Sequence, residues 1–164
     1  MSTVSRPRIR TAPALLALDN QLCFALYGAS LAMTKRYRPL LEPLGLTYPQ
    51  YLVMLALWAE DGPSVSALGA RLGLDSGTLT PLLKRLEAQQ LLQRQRAADD
   101  ERRVQVQLTA AGRALRRRAQ AVPTLMAAAS GCTLDELAAM TARLQTLRRT
   151  LASDGAADEP TPQA

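Results

Sequence analysis

Residues Val65–Thr109, VSALGARLGLDSGTLTPLLKRLEAQQLLQRQRAADDERRVQVQLT, contain two short helical periods, a tight turn between them and a charged hairpin. In the first period Val65, Leu68 and Leu72 fall on one face, and Gly73 supplies the left-handed residue that stops it. The second opens at Asp75 or Ser76, either of which can cap free N–H groups. Leu79, Leu82, Leu83, Leu86 and then Gln90 with Leu91 follow the spacing of a half-buried helix, leaving Ser76, Thr78, Thr80, Lys84 and Arg85 opposite. Pro81 lies too deep for a first-turn proline if Asp75 is the cap, so a start nearer Thr78 is also open. After Leu92 the period becomes two: Val104, Val106 and Leu108 alternate with Gln105 and Gln107, and Leu92–Arg96 reads as the partner strand. Helix, turn, helix and hairpin in this order predict a winged helix-turn-helix, mainly α with a small β wing. The small, polar, basic face of the second helix suits the major groove of duplex DNA. A charge run alone is most often a solvated loop. Directly after a helix pair, the tip 97–103 reads instead as a wing whose Arg102 and Arg103 enter a narrow minor groove, with neighbouring carboxylates orienting them.

Charge and composition agree with a polyanionic partner. The chain has 164 residues, enough for one core, and a formal charge of +6. Half of its 20 Lys and Arg fall between Lys84 and Arg118, over the proposed DNA face. No stretch approaches the roughly twenty apolar residues needed to span a bilayer, and Met1–Pro13 is basic without a signal-peptide core, so no membrane partner and a cytoplasmic location are expected. In that compartment two cysteines are not by default a structural disulfide. The absence of His removes imidazole bases, His-ligated metals and Ser-His-Asp triads; no glycine-rich phosphate loop is present. Neither metal nor cofactor nor catalytic residues are expected. A cysteine peroxidase with turnover would need a recycling site, and there is no Cys-x-x-Cys, so an enzyme is disfavoured.

Outside the module, residues 1–13 and 153–164 lack periodicity and read as disordered tails, basic and acidic respectively. A long helix fits Ala14 to about Arg38, ended by Pro39, and a second runs from Thr47 to about Glu60, with Thr47 and Gln50 as a capping box and Asp61-Gly62-Pro63 as its break. Thr109 opens a helix carrying Leu115, Ala119, Val122, Met126 and Ala129, kinked by Pro123. Thr133–Glu136 caps the last helix, whose Leu137, Met140, Leu144, Leu147 and Leu151 form a heptad-like seam. These helices hold more apolar surface than the DNA module at about 47–109 can cover. One domain over 14–152 is expected, forming a homodimer through helices at about 14–38 and 110–152. Two recognition helices related by a twofold meet grooves about 34 Å apart, so the double-stranded target should be an inverted repeat.

The segments LGLDSGTLTPLLKRLE at 72–87 and DERRVQVQLTAAG at 100–112 resemble the MarR family of dimeric winged-helix regulators, with similarity over roughly 14–152. Within that family the chain looks like the OhrR-type organic hydroperoxide sensors, two-cysteine subgroup. The resemblance implies a transcriptional repressor whose Ser76, Thr78, Thr80, Lys84 and Arg85 contact the major groove, with Asp100 and Arg102 as the wing's paired acid and arginine. It further implies that Cys23 reacts with organic hydroperoxide and that Tyr37 and Tyr48, with Tyr27 nearby, stabilise its thiolate across the dimer. Cys132 would be the resolving thiol of the other subunit, its intersubunit disulfide releasing DNA.

The chemistry is coherent, since thiolate rather than thiol attacks O–O bonds and phenolic donors favour the charged form. Leu22, Phe24 and Leu26 are candidates for an apolar pocket. Against this, free cysteines are commonly small buried hydrophobes and core tyrosines commonly packing residues. The alternative is a MarR-type regulator released by a small phenolic ligand, both cysteines being passive.

Overall fold

Ser64 opens the first helix of the predicted pair: its hydroxyl accepts the Ala67 N–H at 3.1 Å, starting α4 at Val65–Leu72. The structure, a computed structural model, describes residues 12–96 and 103–154; the predicted wing tip with Asp100 and Arg102, and residues 1–11 and 155–164, lie outside the described residues. (The short opening helix α1, Ala12–Leu15, the long α2, Leu22–Leu41, and α3, Tyr48–Ala59, precede this pair.) Gly73, at φ 67°, ends α4, letting its own N–H and that of Leu74 return to the Ala70 and Gly69 carbonyls at 3.3 and 2.9 Å. The left-handed turn costs a residue without Cβ nothing in sterics.

Helix α5, Ser76–Ala88, begins at the Asp75 cap, whose Oδ1 accepts the Thr78 N–H at 2.8 Å. The start does not slide to Thr78, and Pro81 sits inside the helix. The N–H it lacks would have bonded the carbonyl of Gly77, an exposed residue that water can reach. Leu79, Leu83 and Leu86 join Leu68 and the α3 residues Val53, Met54 and Leu57 in a core where none is more than 1% exposed. The apolar spacing overshoots the end of α5, because Gln90 adopts φ 58° and Leu91 N–H turns back to the Leu86 carbonyl at 3.0 Å.

Strand β1, Leu92–Arg96, pairs antiparallel with β2, Val104–Leu108, Leu92 opposite Leu108 and Arg94 opposite Val106. Leu92, Val106 and Leu108 are buried, as the period of two requires. Asp61-Gly62-Pro63 does more than break α3: Gly62 N–H donates to Val106 O and Val106 N–H to Pro63 O, so this segment covers the outer edge of β2. Proline fits there because only its carbonyl is required. Thr109 opens α6, Ala110–Ala119, its hydroxyl accepting the Gly112 N–H at 3.0 Å and donating to the Gln90 carbonyl.

Two expectations about the terminal helices are corrected. The first is not continuous from Ala14: α1 stops at Leu15, a 3-10 turn follows at Leu18–Asn20, and α2 starts at Leu22. Asn20 Nδ2 donates to the Ala14 carbonyl at 2.7 Å and Gln21 Nε2 to that of Leu15, so side-chain amides replace the helical bonds. Nor does Pro39 end α2, which continues to Leu41, a fully buried residue. Core burial at Leu41 outweighs the one hydrogen bond that proline removes.

The second correction concerns the helix after the wing. It is divided into α6 and α7, Val122–Ser130, with Pro123 in the first turn of α7, where a missing N–H is tolerated, rather than at a kink. Ala127, not Ala129, is buried there with Val122 and Met126.

Two compact units result, Met1–Ala119 and Gln120–Ala164. In the second, α8, Leu134–Asp154, begins with the expected capping box: Glu136 Oε2 accepts the Thr133 N–H at 2.8 Å and the Thr133 hydroxyl accepts the Glu136 N–H at 3.2 Å. Leu22, Phe24, Tyr27 and Leu31 on α2, and Leu134, Met140, Leu144 and Leu151 on α8, remain exposed.

Candidate nucleic-acid interface and thiol site

Ser76, Thr80 and Lys84 follow one another at one-turn intervals along α5. Ser76, Thr78, Lys84 and Arg85 are exposed and Thr80 is half-buried. Ser76 and Thr80 line a cleft of about 530 Å³ whose other wall includes Arg94 of β1 and Arg103 beside β2. The helix thus presents hydroxyls, which suit base edges and phosphates, on one wall, and two arginines stand on the other. The Thr78 hydroxyl donates to Asp75 Oδ2 at 3.0 Å, so it also belongs to the cap. The Thr78 N–H and hydroxyl hold the Asp75 carboxyl below its usual range.

One pair in this interface escaped the sequence reading. Glu87, in the last turn of α5, accepts from the Arg94 backbone N–H at 2.9 Å and, through Oε2, from Nε and a terminal guanidinium nitrogen at 3.0 and 2.7 Å. Arg94 keeps the Glu87 carboxyl well below the usual range, the side-chain bond acting most and the backbone bond next. The available signal was a lone acid in the basic stretch 76–96, at the helix end where the macrodipole disfavours it.

Cys23 is the second residue of α2 and is exposed; Tyr27, one turn on, is 64% exposed. Leu22 and Phe24 are exposed beside it and Leu26 is half-buried. Tyr37 lies fourteen residues further along the same helix, about 21 Å from Cys23 at 1.5 Å per residue. The ring of Tyr48, from the start of α3, packs on Tyr37 at a centroid distance of 4.7 Å. The two tyrosines are therefore brought together, and within one chain the helix holds them away from the thiol. Burial, and then Tyr48, raise the Tyr37 phenol above its ordinary range, keeping it a neutral donor.

Sequence reasoning missed what Tyr37 rests on. Its ring lies 6.0 Å from that of Tyr51, which is 6.4 Å from Trp58, and Trp58 Nε1 donates to the Gly112 carbonyl at 2.9 Å. Tyr51 and Trp58, seven apart on α3, share a face, and that spacing was the legible signal. Cys132 sits half-buried in the turn between α7 and α8, its N–H donating to Ser130 Oγ at 3.3 Å. Among the described residues no helix is long and apolar enough to cross a membrane.

A buried three-helix core carrying a recognition helix and a hairpin wing defines a winged-helix DNA-binding regulator. The model of the transcriptional regulator SarA/Rot family matches residues 35–118. The regulator TtmR of Methylorubrum extorquens is 51% identical over 132 residues, 80% of this chain and 68% of that protein. The organic hydroperoxide resistance transcriptional regulator of Bacillus subtilis is 46% identical over 136 residues, 83% of this chain and 92% of that one. AbfR of Staphylococcus epidermidis, in an overoxidized form bound to DNA, superposes with a TM-score of 0.69 at 35% identity, covering 86% of this chain and 99% of that one. Its disulfide-formed structure matches at 36% identity and a TM-score of 0.58, over 79% and 91% of the two chains. The chain belongs to the MarR-like family of winged-helix transcriptional regulators, and within it is of the OhrR type. These relatives are regulators, and the chain is a regulator rather than an enzyme.

Proposed function

We propose that this chain is a cytoplasmic, homodimeric repressor that binds an inverted-repeat operator and lets go when Cys23 is oxidised by an organic hydroperoxide. Residues 14–152 act as one functional domain, dimerising through helices at each end. The observation that carries the reading is the packed ring pair Tyr37–Tyr48, some 21 Å along α2 from Cys23. A second subunit running antiparallel along α2 would bring its tyrosines to the thiol, with Tyr27 beside it, and would cover the apolar faces left exposed on α2 and α8. The names of the Bacillus subtilis relative and of the AbfR structures support a redox signal. Ser76, Thr78, Thr80, Lys84 and Arg85 would meet the major groove, and Arg102 and Arg103 the minor groove, with Asp100 as the acid paired to Arg102.

The chemistry balances in two steps. The Cys23 thiolate attacks the distal hydroperoxide oxygen, the O–O bond breaks, and Cys23 becomes a sulfenic acid. The alkoxide leaves and takes up a proton, the one the thiol gave up, to become the alcohol. The Cys132 thiol of the other subunit then displaces the hydroxyl as water, leaving a disulfide. Bonding α2 of one subunit to the turn between α7 and α8 of the other changes the separation of the two recognition helices, so they no longer match successive grooves.

The test is a gel shift on the duplex upstream of the protein's own gene, with and without cumene hydroperoxide, then dithiothreitol. The protein should release and, on reduction, rebind. Cys23→Ser should bind and ignore the oxidant; Cys132→Ser should react yet form no covalent dimer on non-reducing gels. Release of Cys23→Ser by oxidant would remove the mechanism.

A second reading draws on a cleft of about 700 Å³ between α2 and α3, lined by Leu31, Thr34, Lys35, Arg38, Thr47 and Tyr48 among others. Two cations beside hydroxyls and a ring suit a small phenolic anion, whose binding would release DNA with both cysteines passive. Release by salicylate without any response to peroxide favours it.

A further inference from the structure

We infer that Glu87 and Arg94 form a clip that sets the angle between the recognition helix and the wing, making them positioning residues for simultaneous reading of adjacent grooves. The inference rests on the proposed DNA-binding mode and goes beyond it, since neither residue is among the groove-contacting set.

Three observations carry it. An isolated two-stranded hairpin is marginal in water and takes its direction from whatever it is tied to. Its base is tied to the body of the module, by the edge pairing of Gly62–Ser64 and by Asp61, whose Oδ1 accepts the Leu108 N–H at 2.8 Å. A tie to α5 itself is Glu87, which holds Arg94 at three points: Oε1 accepts the backbone N–H, and Oε2 accepts from Nε and a terminal nitrogen on one side of the guanidinium. Such a three-point, charge-assisted contact fixes orientation as well as distance.

The charge is costly where it stands. Glu87 occupies the last turn of α5, where a carboxylate opposes the helix macrodipole, and it is the one acid between Ser76 and Arg96 on a face meant for a polyanion. Local helix stability and attraction to phosphate both argue against it. The pair is half-buried, with side-chain exposures of 34% for Glu87 and 27% for Arg94. Finally, Arg94 lines the cleft with Ser76, Thr80 and Arg103, so the clip lies at the junction of the two reading elements.

This gives a test with opposite signs for the two explanations. If Glu87 were only a charge, Glu87→Gln would remove a negative group, free an arginine, and tighten binding to any duplex. As a positioning residue, its loss should lower the ratio of operator to non-specific affinity by about tenfold or more. Arg94→Lys keeps the net charge but not the fork, and should lower the same ratio. The full-length chain and both variants are titrated against the shortest upstream duplex the wild type protects and against a scrambled duplex of equal composition. Hydroxyl-radical footprints are taken in parallel. Minor-groove protection at the wing positions should fade in both variants while major-groove contacts persist.

A wild-type footprint with an unchanged or increased ratio in either folded variant would overturn the clip. If Glu87→Gln does not fold, Arg94→Lys decides. Wild-type protein that protects no upstream duplex would instead overturn the operator reading on which the clip rests.

Discussion

A methyl group on Gly112 would lie 1.9 Å from the Leu91 carbonyl oxygen and 3.1 Å from a Leu108 methyl. Two backbones meet there: the first turn of α6 rests on the residue that leaves the recognition helix for the wing. The Gly112 carbonyl also accepts the Trp58 indole N–H. No side chain fits, and backbone cannot move aside as a flexible side chain would, so Gly112→Ala should cost about 3 kcal/mol or more. Urea denaturation followed through the chain's single tryptophan, Trp58, measures this directly; a loss below about 1 kcal/mol would show that the α6 backbone can draw back from Leu91. In sequence this glycine looks like any residue of a helix N-terminus. Its constraint comes from Leu91, twenty-one positions away in the chain.

Helix caps were far easier to read, because each is a bond between a residue and one three places on. Asp75 with Thr78, Thr133 with Glu136, and Thr47 with Gln50, whose Oε1 accepts the Thr47 N–H at 2.8 Å, all stand where the spacing places them. What spacing missed was the competition between such local bonds and the core: Asn20 and Gln21 interrupt a run that looks helical, whereas burial of Leu41 carries a helix past Pro39.

The α5 cap also sets a pH response. The Thr78 N–H lowers the Asp75 pKa, and Arg94 lowers that of Glu87. Both groups have folded values below their unfolded ones. Their stabilisation is complete above the ordinary carboxylate range and is lost as pH falls through the depressed values. Asp75→Asn keeps a good cap but removes the titration. Its Tm should fall less than wild type between pH 6 and pH 3 by circular dichroism; parallel decline in the two proteins would assign the acid sensitivity elsewhere.

Taken as an assembly, the protein is proposed to be a dimer because its ends are apolar where a lone chain leaves them in water. Leu144 is 43% exposed and Leu151 66% exposed along one seam of α8. Both residues belong to the compact unit Gln120–Ala164, so a charge placed there changes no residue of the winged helix. Leu144→Glu should shift sedimentation toward monomer and weaken operator binding steeply, as two half-sites become independent. An unchanged dimer would mean that another face does the joining.

The groove-reading module was legible from residue order alone. Periods of 3.6 and 2, caps and a terminating glycine are local properties, fixed by backbone geometry within a few residues, and they specified α4, α5, β1 and β2 together with Ser76, Thr80 and Lys84 at one-turn intervals along α5. Contacts between distant parts of the chain were not legible. The Tyr48–Tyr37–Tyr51–Trp58 row, the third edge at Gly62–Ser64, the close approach at Gly112 and the Glu87–Arg94 clip each depend on where folding brings separate elements. No spacing rule encodes that placement, because it is chosen by the packing of the whole core.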